Sequence, residues 1–470
     1  MPSAEYKPAT GAVYDNRVRG LITIGIACVL FAGVSRVALD ARAAQQPRTT
    51  HGRLFPPEKL GELEGPDRDE WQEPDRIMDA LGIADGARVA DVGAGEGAST
   101  ALLGGAGIRV TAVDRYRPLQ PDEWPCCDNW QDELRWQQME RDFRLRYPGV
   151  TVHRGCAVEA AGLLTGGTSG VDAAWLDADL TYRGTKRIAG AWADALPDAG
   201  LLAGAYYVRR FWGDHSGDNS WINVVDGIAA VRATRPWLTA PFTTWHEDWP
   251  TWLMFKRLRR PTLEILSAAT PDVHWWPDVQ AHHKRYAARH GYSYTGATMP
   301  KPADRHPVWI KMALLRERLQ RSEAEWLFWL DADAIFWDCL RPLDEFVPAP
   351  PWEAVFPQWW RDQQDYCSGG AFFVKNCAAV REFIEENWQR GVGGEYGTEE
   401  AWLLELARST GLRTLLVDHR HFNSLPTGGI WRGGEGDFVM HAAFLSRYRT
   451  GFLRDLIERA EQRAATSPVF

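Results

Sequence analysis

The chain has 470 residues, too many for one ordinary hydrophobic core, so two or three domains are expected. Hydrophobic residues make up 45% of the sequence, as in globular proteins, and the formal net charge of −9 argues against a nucleic-acid-binding surface. The cysteines form no Cys-x-x-Cys pair, which argues against a zinc site. Cys367 and Cys377 either pair with each other or remain free thiols.

An apolar segment lies near the N-terminus. Residues 21–39 contain one basic residue, Arg36, and are about long enough for a bilayer-spanning helix of ~20 residues. Counted only to Val34, the segment resembles a signal-peptide core, and Ala41-Arg42-Ala43 offers a cleavage site. Because residues 1–20 form a long preceding tail, an uncleaved anchor is favoured. We therefore expect a single-pass membrane protein, Golgi-type and lumenal if eukaryotic, or a secreted or membrane-tethered protein if the segment is cleaved.

The remainder of the chain divides into a stem at 40–66 and two α/β units at 67–257 and 262–465. Strand-like and helical segments alternate, which predicts sheets with crossover helices. The basic, Pro-closed run at 256–261 predicts the boundary between the units. The fold class is therefore expected to be α/β with two Rossmann-like domains. The strand-like segments of the first unit are Arg88–Val92, Ile108–Val113, Val150–His153, Ala173–Leu176, Leu201–Tyr206 and Thr251–Lys256.

A glycine-rich turn follows the first strand, in the order Asp91-Val-Gly93-Ala-Gly95-Glu-Gly97. Glycine lets the backbone approach a ligand closely, and the helix that follows offers free N–H groups in its first turn. A second acid, Asp114, ends the next strand, where a carboxylate suits a ribose hydroxyl. The pattern predicts a cofactor site, although the glycine spacing by itself fits several nucleotide-binding folds.

Over residues 67–257 the chain resembles class I S-adenosylmethionine-dependent methyltransferases, whose first motif is similar to Asp91–Gly97. The stretches Val171–Tyr182 and 192–204 are similar to the branch that includes bacterial sugar O-methyltransferases. This resemblance implies a substrate site at Asp177. It also implies that S-adenosylmethionine is held by Asp91, Gly93, Gly95, Gly97 and Asp114.

Three positions depart from the pattern of that branch. Leu180 stands where histidine is usual, Ala205 and its neighbours carry no carboxylate, and Cys156 stands where an acid often helps to place the adenine. A nearby segment either supplies a base or metal ligands or forms a solvated loop; its polar residues are Asp214, His215 and Asp218. Two hypotheses therefore remain open for this unit, methyl transfer and a non-catalytic binding module.

The second unit begins with the strand-like Thr262–Ala268, and helices are predicted at Asp278–His290, Pro307–Gln320 and Phe452–Arg463. The apolar side chains of the middle helix fall on one stripe, as packing requires; they are Val308, Met312, Leu315 and Leu319. The fully apolar Trp326–Leu330 predicts a central strand that is buried on both faces.

The pentapeptide Trp-Leu-Asp-Ala-Asp occurs at 175–179 and again at 329–333, where it ends this apolar strand. Carboxylates at i and i+2 of an extended segment point to the same side, and burying them is costly unless a cation meets them. A bound Mn²⁺ or Mg²⁺ would offset the charge of the two carboxylates and can neutralise a diphosphate. The alternative for Asp331 and Asp333 is a hydrogen-bonded strand end.

The residues around the second pentapeptide resemble glycosyltransferases of the galactomannan galactosyltransferase and xyloglucan xylosyltransferase type. The similarity runs in order through His283–Tyr292, Trp309–Met312, Tyr366–Asn376, Thr398–Leu404, Phe422-Asn423 and Gly436–His441. The resemblance implies a GT-A fold, a D-x-D motif with a divalent metal, a UDP- or GDP-sugar donor and a glycan acceptor.

Site residues follow from this second resemblance by position. Asp331, Asp333 and His441 would hold the metal. Glu399 and Glu400 stand where the family usually has Asp-Gln near the donor's anomeric carbon, and they would be the catalytic residues. The residues expected near the substrate are Lys311, Gly369, Gly370 and Asn423. Lys311 either reaches a phosphate or extends past the core to solvent.

The sequence therefore predicts a bifunctional, membrane-associated enzyme of glycan assembly. The C-terminal unit would transfer a hexosyl or pentosyl group from a nucleotide sugar, with retention at the anomeric carbon, as the resembled family does. The N-terminal unit would methylate a sugar hydroxyl. In the alternative, a non-catalytic methyltransferase-like module binds an acceptor or partner, and only the glycosyltransferase works.

Overall fold

The computed structural model describes residues 87–94, 97–114, 133–164, 170–213, 219–243, 250–358, 367–391, 400–424, 437–443 and 449–466. The predicted tail, anchor and stem, and the segment 214–218, lie outside these residues. No helix within the described ranges is long and apolar enough to cross a membrane. The two α/β sheets belong to one compact unit.

The first sheet is built from short strands that alternate with helices, and its central strands are almost fully buried. Its strands and its hairpin are β1 (Arg88–Val92), β2 (Arg109–Asp114), β3 (Val150–Arg154), β4 (Ala173–Leu176), β5 (Leu201–Gly204), β6 (Arg209–Gly213), β7 (Asn219–Asn223), β8 (Phe242–Thr243) and β9 (Trp252–Phe255). The helices are α1 (Ala98–Gly105), α2 (Glu133–Arg146), α3 (Ala157–Leu164), α4 (Tyr182–Ala195) and α5 (Val224–Ala233).

The strand order of this sheet is β3-β2-β1-β4-β5-β9-β8, and β6 pairs with β7 in a separate hairpin. The strands from β3 to β5 run parallel, and the order reverses between β1 and β4. The carboxyl ends of β1 and β4 therefore border a crevice of the kind in which open α/β sheets bind ligands. The structure thus brings the turn after β1 next to the first pentapeptide, which begins in β4 and continues beyond its end.

The last strand of this sheet departs from a fully parallel arrangement. The segment predicted as Thr251–Lys256 forms β9, which runs antiparallel to both β5 and β8. Eight residues separate β8 from β9, too few for the crossover that parallel neighbours need.

The second sheet has the order β11-β10-β12-β15-β14-β16, and β13 pairs antiparallel with β17 beside it. Its strands are β10 (Leu263–Ala269), β11 (Ser293–Thr298), β12 (Trp326–Leu330), β13 (Ala334–Phe336), β14 (Ala354–Pro357), β15 (Ala371–Lys375), β16 (Thr414–Val417) and β17 (Val439–His441). Its helices are α6 (Trp276–His290), α7 (Ile310–Arg321), α8 (Ala378–Arg390), α9 (Glu400–Thr410), α10 (His419–Phe422) and α11 (Arg449–Thr466).

The predicted fold class, two Rossmann-like α/β domains, is confirmed by these two sheets. Strand β12 has the predicted bounds and all five of its residues are buried. The helix predicted at Pro307–Gln320 begins instead as a 3-10 turn at Pro307–Trp309 and continues as α7. Met312, Leu315 and Leu319 of its stripe are buried, as expected.

The two sheets are joined by direct contacts as well as by the chain. The N–H of Ala240 donates to the carbonyl of Glu345 (2.7 Å), and the N–H of Asp418 donates to the carbonyl of Thr243 (2.9 Å). The ring of Phe242, at the edge of the first sheet, lies 6.5 Å from the ring of Phe346 in the second half. Strand β8 therefore packs against the region around α10.

Candidate metal and cofactor sites

The second pentapeptide ends β12, and its last three residues, from Asp331 to Asp333, form a tight turn to β13. The N–H of Asp331 donates to the carbonyl of Gly370 (2.8 Å), and the N–H of Ala334 donates back to the carbonyl of Asp331 (3.1 Å). The carbonyl of Asp333 accepts from the N–H of Ala442 (2.8 Å). These bonds hold both carboxylates at the end of the buried central strand, as the sequence predicts.

His441 meets these carboxylates from the last residue of β17, which pairs with Ala334 of β13. Its Nε2 atom lies 3.1 Å from Oδ1 of Asp333 and 3.8 Å from Oδ2 of Asp331. One ligand atom from each of the three residues lies within 4.8 Å of the others. Two carboxylate oxygens and one imidazole nitrogen form a donor set that suits Mn²⁺ or Mg²⁺.

Asn423 lies behind His441 and is fully buried. Its Oδ1 atom is 2.7 Å from Nδ1 of His441. An Nδ1–H that donates to this amide oxygen orients the ring so that Nε2 faces the two carboxylates, and Nε2 of the neutral ring is the atom that would bind a metal. The predicted contact of Asn423 with substrate is thus replaced by a contact with a candidate metal ligand, since a fully buried side chain offers no surface to a sugar.

Gly369 and Gly370 form the wall beside the two acids. A Cβ atom on Gly370 would lie 2.4 Å from Cε1 of His441, so only glycine lets the histidine occupy its position. The carbonyl of Gly369 accepts a hydrogen bond from Nζ of Lys311 (2.6 Å). Both glycines are buried, and here they shape the candidate metal site.

Two cations contact the carboxylates. Lys311 is only 2% exposed, and its Nζ lies 3.3 Å from Oδ1 of Asp331, so the prediction that it extends to solvent is wrong. The hydrogen bond to Gly369 holds the ammonium inside, because it replaces a water partner. Nη1 of Arg449, the first residue of α11, lies 3.1 Å from Oδ2 of Asp333.

The electrostatic balance at Asp333 favours its ionised form. Burial disfavours the carboxylate, but His441 in its protonated form and Arg449 outweigh burial and lower the pKa of Asp333. Arg449 was not among the predicted site residues. Its only signal in the sequence is its position eight residues after His441, which does not distinguish it from other surface arginines.

The predicted catalytic pair cannot be placed in the same detail. Glu399 lies outside the described residues, and Glu400 is the first residue of α9, where its side chain is not described. The two glutamates remain predictions from the resemblance.

The turn after β1 has the backbone that its glycines predict. Gly93 has φ 85° and its N–H donates to the carbonyl of Val113 (2.9 Å). A Cβ atom on Gly93 would lie 2.3 Å from the carbonyl oxygen of Asp177, so β1 and β4 approach here as closely as only glycine permits. Gly97, with φ 84°, directly precedes α1, and Gly95 lies outside the described residues.

Two carboxyl groups lie at this edge, Asp91 in the core and Asp177 partly exposed. Asp91 is fully buried and accepts hydrogen bonds from the hydroxyls of Ser99 (2.7 Å) and Thr100 (2.5 Å). Burial outweighs these bonds and raises the pKa of Asp91 to about 6. Burial, together with the charge of Asp91, raises the pKa of Asp177 to about 7.

A pocket open to solvent adjoins the glycine turn. Its lining includes Gly93, Asp114, Cys156, Arg187 and Ile188. Asp114 is the last residue of β2, as predicted, and is 4% exposed. Apolar walls with one carboxylate at the rim fit the adenosine of S-adenosylmethionine, because the flat base can pack between them and the ribose can donate to Asp114.

The two copies of the pentapeptide differ in what their second acid contacts. Oδ1 of Asp179 accepts from the N–H (3.1 Å) and the hydroxyl (2.7 Å) of Thr181, the residue that caps α4. Among the described residues the clusters with metal-ligating geometry are His282–Cys339–Glu461 and Asp331–Asp333–His441, and Asp177 belongs to neither. The second copy of the pentapeptide is therefore a better candidate for a metal site than the first.

Solved structures that are similar to parts of this chain include a glycosyltransferase and two methyltransferases. A search of curated proteins gives no match. A glycosyltransferase involved in glycosylation of the major capsid of PBCV-1 is 17% identical, with 41% of this chain and 100% of that chain covered and a TM-score of 0.36. An rRNA methylase from Streptococcus thermophilus is 15% identical (40% and 95% covered, TM-score 0.26). A didemethyltoxoflavin N1-methyltransferase from Burkholderia thailandensis is 17% identical (44% and 93% covered, TM-score 0.27).

The family comparison falls on the second half of the chain. Residues 270–350 match the model of the galactosyl transferase GMA12/MNN10 family. This segment contains α7 with Lys311, strand β12 and both acids of the second pentapeptide. The C-terminal half of the chain therefore resembles the GMA12/MNN10 glycosyltransferases, as predicted from its motifs.

Proposed function

We propose that the C-terminal half transfers a sugar from a UDP- or GDP-sugar to a glycan acceptor, with Mn²⁺ or Mg²⁺ held by Asp331, Asp333 and His441. The observation that carries this proposal is the convergence of the three side chains from two separate strands, within a segment similar to a glycosyltransferase family. The donor set fits the ion without any rearrangement of the fold. A membrane-anchored enzyme of glycan assembly is the setting that we propose.

The metal would supply positive charge to the leaving diphosphate. Residues of this chain would position the ligands of the metal. Asn423 fixes the ring of His441, and the turn from Asp331 to Ala334 holds both carboxylates on one side of the site. We propose that Glu399 or Glu400 stabilises positive charge at the anomeric carbon, and that the transfer retains its configuration, as in the resembled family.

For the N-terminal half we propose S-adenosylmethionine-dependent methylation of a sugar hydroxyl. The pocket beside Gly93 and Asp114 supports cofactor binding. Asp177, with a pKa of about 7, is suited to accept the proton of the hydroxyl, since a group near neutral pKa can take up and release a proton at neutral pH. One enzyme would then modify the same glycan twice, with each active site near the product of the other.

A second candidate for this half is a non-catalytic module that binds an acceptor or a partner. The observation that favours it is that Asp177 belongs to no metal-ligating cluster of the described residues, and that Asp179 instead accepts hydrogen bonds from Thr181. Transfer of labelled methyl groups to glycan fragments separates the two. Cofactor binding without labelled product on any fragment would support the module.

The glycosyltransferase proposal is tested by calorimetric titration of the protein with UDP and with GDP, each in Mn²⁺ and in EDTA. We expect one nucleotide to bind only with the metal, and the variant Asp333→Asn to abolish that binding. Asp304→Asn is the matched control, because its carboxylate is 72% exposed and lies outside the cluster. Absence of binding for both nucleotides in a folded protein would rule out the proposal.

A further inference from the structure

We propose that Lys311 and Arg449 are built-in counter-cations of the candidate metal site. The site would then bind a divalent cation strongly only together with a nucleotide diphosphate. The inference rests on the proposed function and adds to it an order of events and two residues that control that order.

Lys311, the first of the two cations, is held next to Asp331. Nζ of Lys311 lies 3.3 Å from Oδ1 of Asp331, donates to the carbonyl of Gly369 (2.6 Å) and lies 5.8 Å from the ring centre of Trp329. Its neighbour Met312 on α7 is fully buried, so the helix is locked into the core. A charge held in this way cannot move to solvent when another cation approaches.

The second cation is fixed beside Asp333. Nη1 of Arg449 lies 3.1 Å from Oδ2 of Asp333, and its guanidinium lies 5.2 Å from the ring centre of Trp275. Helix α11, which begins with Arg449, is fastened to α6 by several acid–base contacts. They include Glu461 with Nδ1 of His282 (2.9 Å) and Arg454 with Asp278 (2.6 Å).

The charges of these four side chains cancel. The carboxylates of Asp331 and Asp333 contribute two negative charges, and Lys311 and Arg449 contribute two positive charges at contact distance. A divalent cation would therefore enter a cluster that is already balanced, and at a partly buried site each cation opposes it strongly. The negative charges of a diphosphate restore the balance, so metal and nucleotide should increase each other's affinity by the same factor.

The test measures binding of Mn²⁺ by electron paramagnetic resonance of the free ion, with no nucleotide, with UDP and with GDP. In the wild-type protein we expect one nucleotide to tighten Mn²⁺ binding by about tenfold or more. Lys311→Met and Arg449→Gln each remove one opposing charge, so each should tighten Mn²⁺ binding without nucleotide by about tenfold and reduce the effect of the nucleotide. Lys311→Arg keeps the charge and should keep the coupling.

Matched controls lie on the same helices. Arg316→Gln on α7 removes a cation that pairs with Glu385, and Arg459→Gln on α11 removes one that pairs with Asp455 on the same helix. Neither control should change the coupling, because neither arginine contacts the acids of the site. If Lys311→Met does not fold, as judged by circular dichroism, Arg449→Gln carries the test.

The outcomes separate this inference from the proposed function. Tight Mn²⁺ binding by the wild-type protein without nucleotide would overturn the inference and leave the metal-dependent transferase standing. So would weaker Mn²⁺ binding in a folded Arg449→Gln variant. Failure to bind Mn²⁺ with either nucleotide would overturn both.

Discussion

The Nδ1 atom of His441 lies 2.7 Å from Oδ1 of Asn423, and this contact joins the candidate metal site to the interface between the two halves. Asn423 directly follows α10, whose His421 has its Nε2 atom 3.3 Å from the hydroxyl of Thr243 in the first half. Asn423, at the end of this four-residue helix, therefore contacts a candidate metal ligand, and His421 within the helix contacts the first half of the chain.

The orientation of His441 should depend on this hydrogen bond. Asn423→Leu removes the acceptor, so we expect Mn²⁺ affinity in the presence of the nucleotide to fall by roughly 10–100-fold. Asn423→Asp is the matched variant, because a carboxylate also accepts from Nδ1–H and should retain most of the affinity. Titration with Mn²⁺ checks both. Equal affinity in the Leu and Asp variants would show that the contact does not orient the ring.

The interface should make the two halves unfold together. Phe242 is fully buried, and its ring lies within 6.5 Å of the rings of Phe346 and His421. Phe242→Ala should lower the free energy of unfolding by about 3–5 kcal/mol and split one calorimetric transition into two, since the lost contacts join the halves. Phe383→Ala removes the same volume inside the second half and should leave one transition. Two transitions in the wild-type protein would contradict this.

Local patterns were enough to predict β1, β4 and β12 and the acids that follow them, because a short apolar run ended by a polar residue marks a buried strand. The resemblance to a glycosyltransferase family, and not a local pattern, predicted Asp331, Asp333 and His441 as one group. The contacts of Lys311 were not predicted. The pattern around it allows either a buried or an extended side chain, and only the carbonyl of Gly369 decides between them.

Long-range pairing explains the other differences. Arg449 and Asn423 reach the site because β17 pairs with β13, and nothing local to either residue indicates that pairing. Asp179 is preceded by the same four residues as Asp333, yet it accepts hydrogen bonds from Thr181, the residue that caps α4. Identical pentapeptides thus acquire different roles from the residues just outside them.

The close approach of β1 and β4 should make Gly93 intolerant of any side chain. In Gly93→Ala the new Cβ would lie 2.3 Å from the carbonyl oxygen of Asp177, so the cofactor edge of the first sheet must shift. Gly107→Ala is the matched control, because its φ is also positive (79°) but no atom lies within 4 Å of its Cβ. Both variants carry ~1–2 kcal/mol of left-handed strain.

Only Gly93→Ala should lose more stability than that strain and also lose S-adenosylmethionine binding. Chemical denaturation and calorimetric titration measure the two effects. Equal losses of stability in both variants, with cofactor binding intact, would show that the strands can separate at little cost.

The neighbouring acids Asp91 and Asp177 should make stability depend on pH. Both carboxyls have a raised pKa in the folded protein, about 6 and about 7, against 3.8 for an ordinary aspartate. Between about pH 4 and pH 7 the folded state therefore holds more protons than the unfolded state, so stability falls as pH rises through this window. The stabilising contribution is complete below about pH 4 and lost above about pH 7.

Asp177→Asn keeps the shape of the protonated acid and cannot ionise. We expect the variant to be more stable than the wild-type protein at pH 8 and to show a flatter profile from pH 5 to pH 8. Thermal unfolding at constant ionic strength, without cofactor, measures both. A variant that is less stable at pH 8, or that keeps the wild-type slope, would mean that Asp177 is ionised and favourably paired in the folded protein. It would then be unsuited to accept a proton from a sugar hydroxyl near neutral pH.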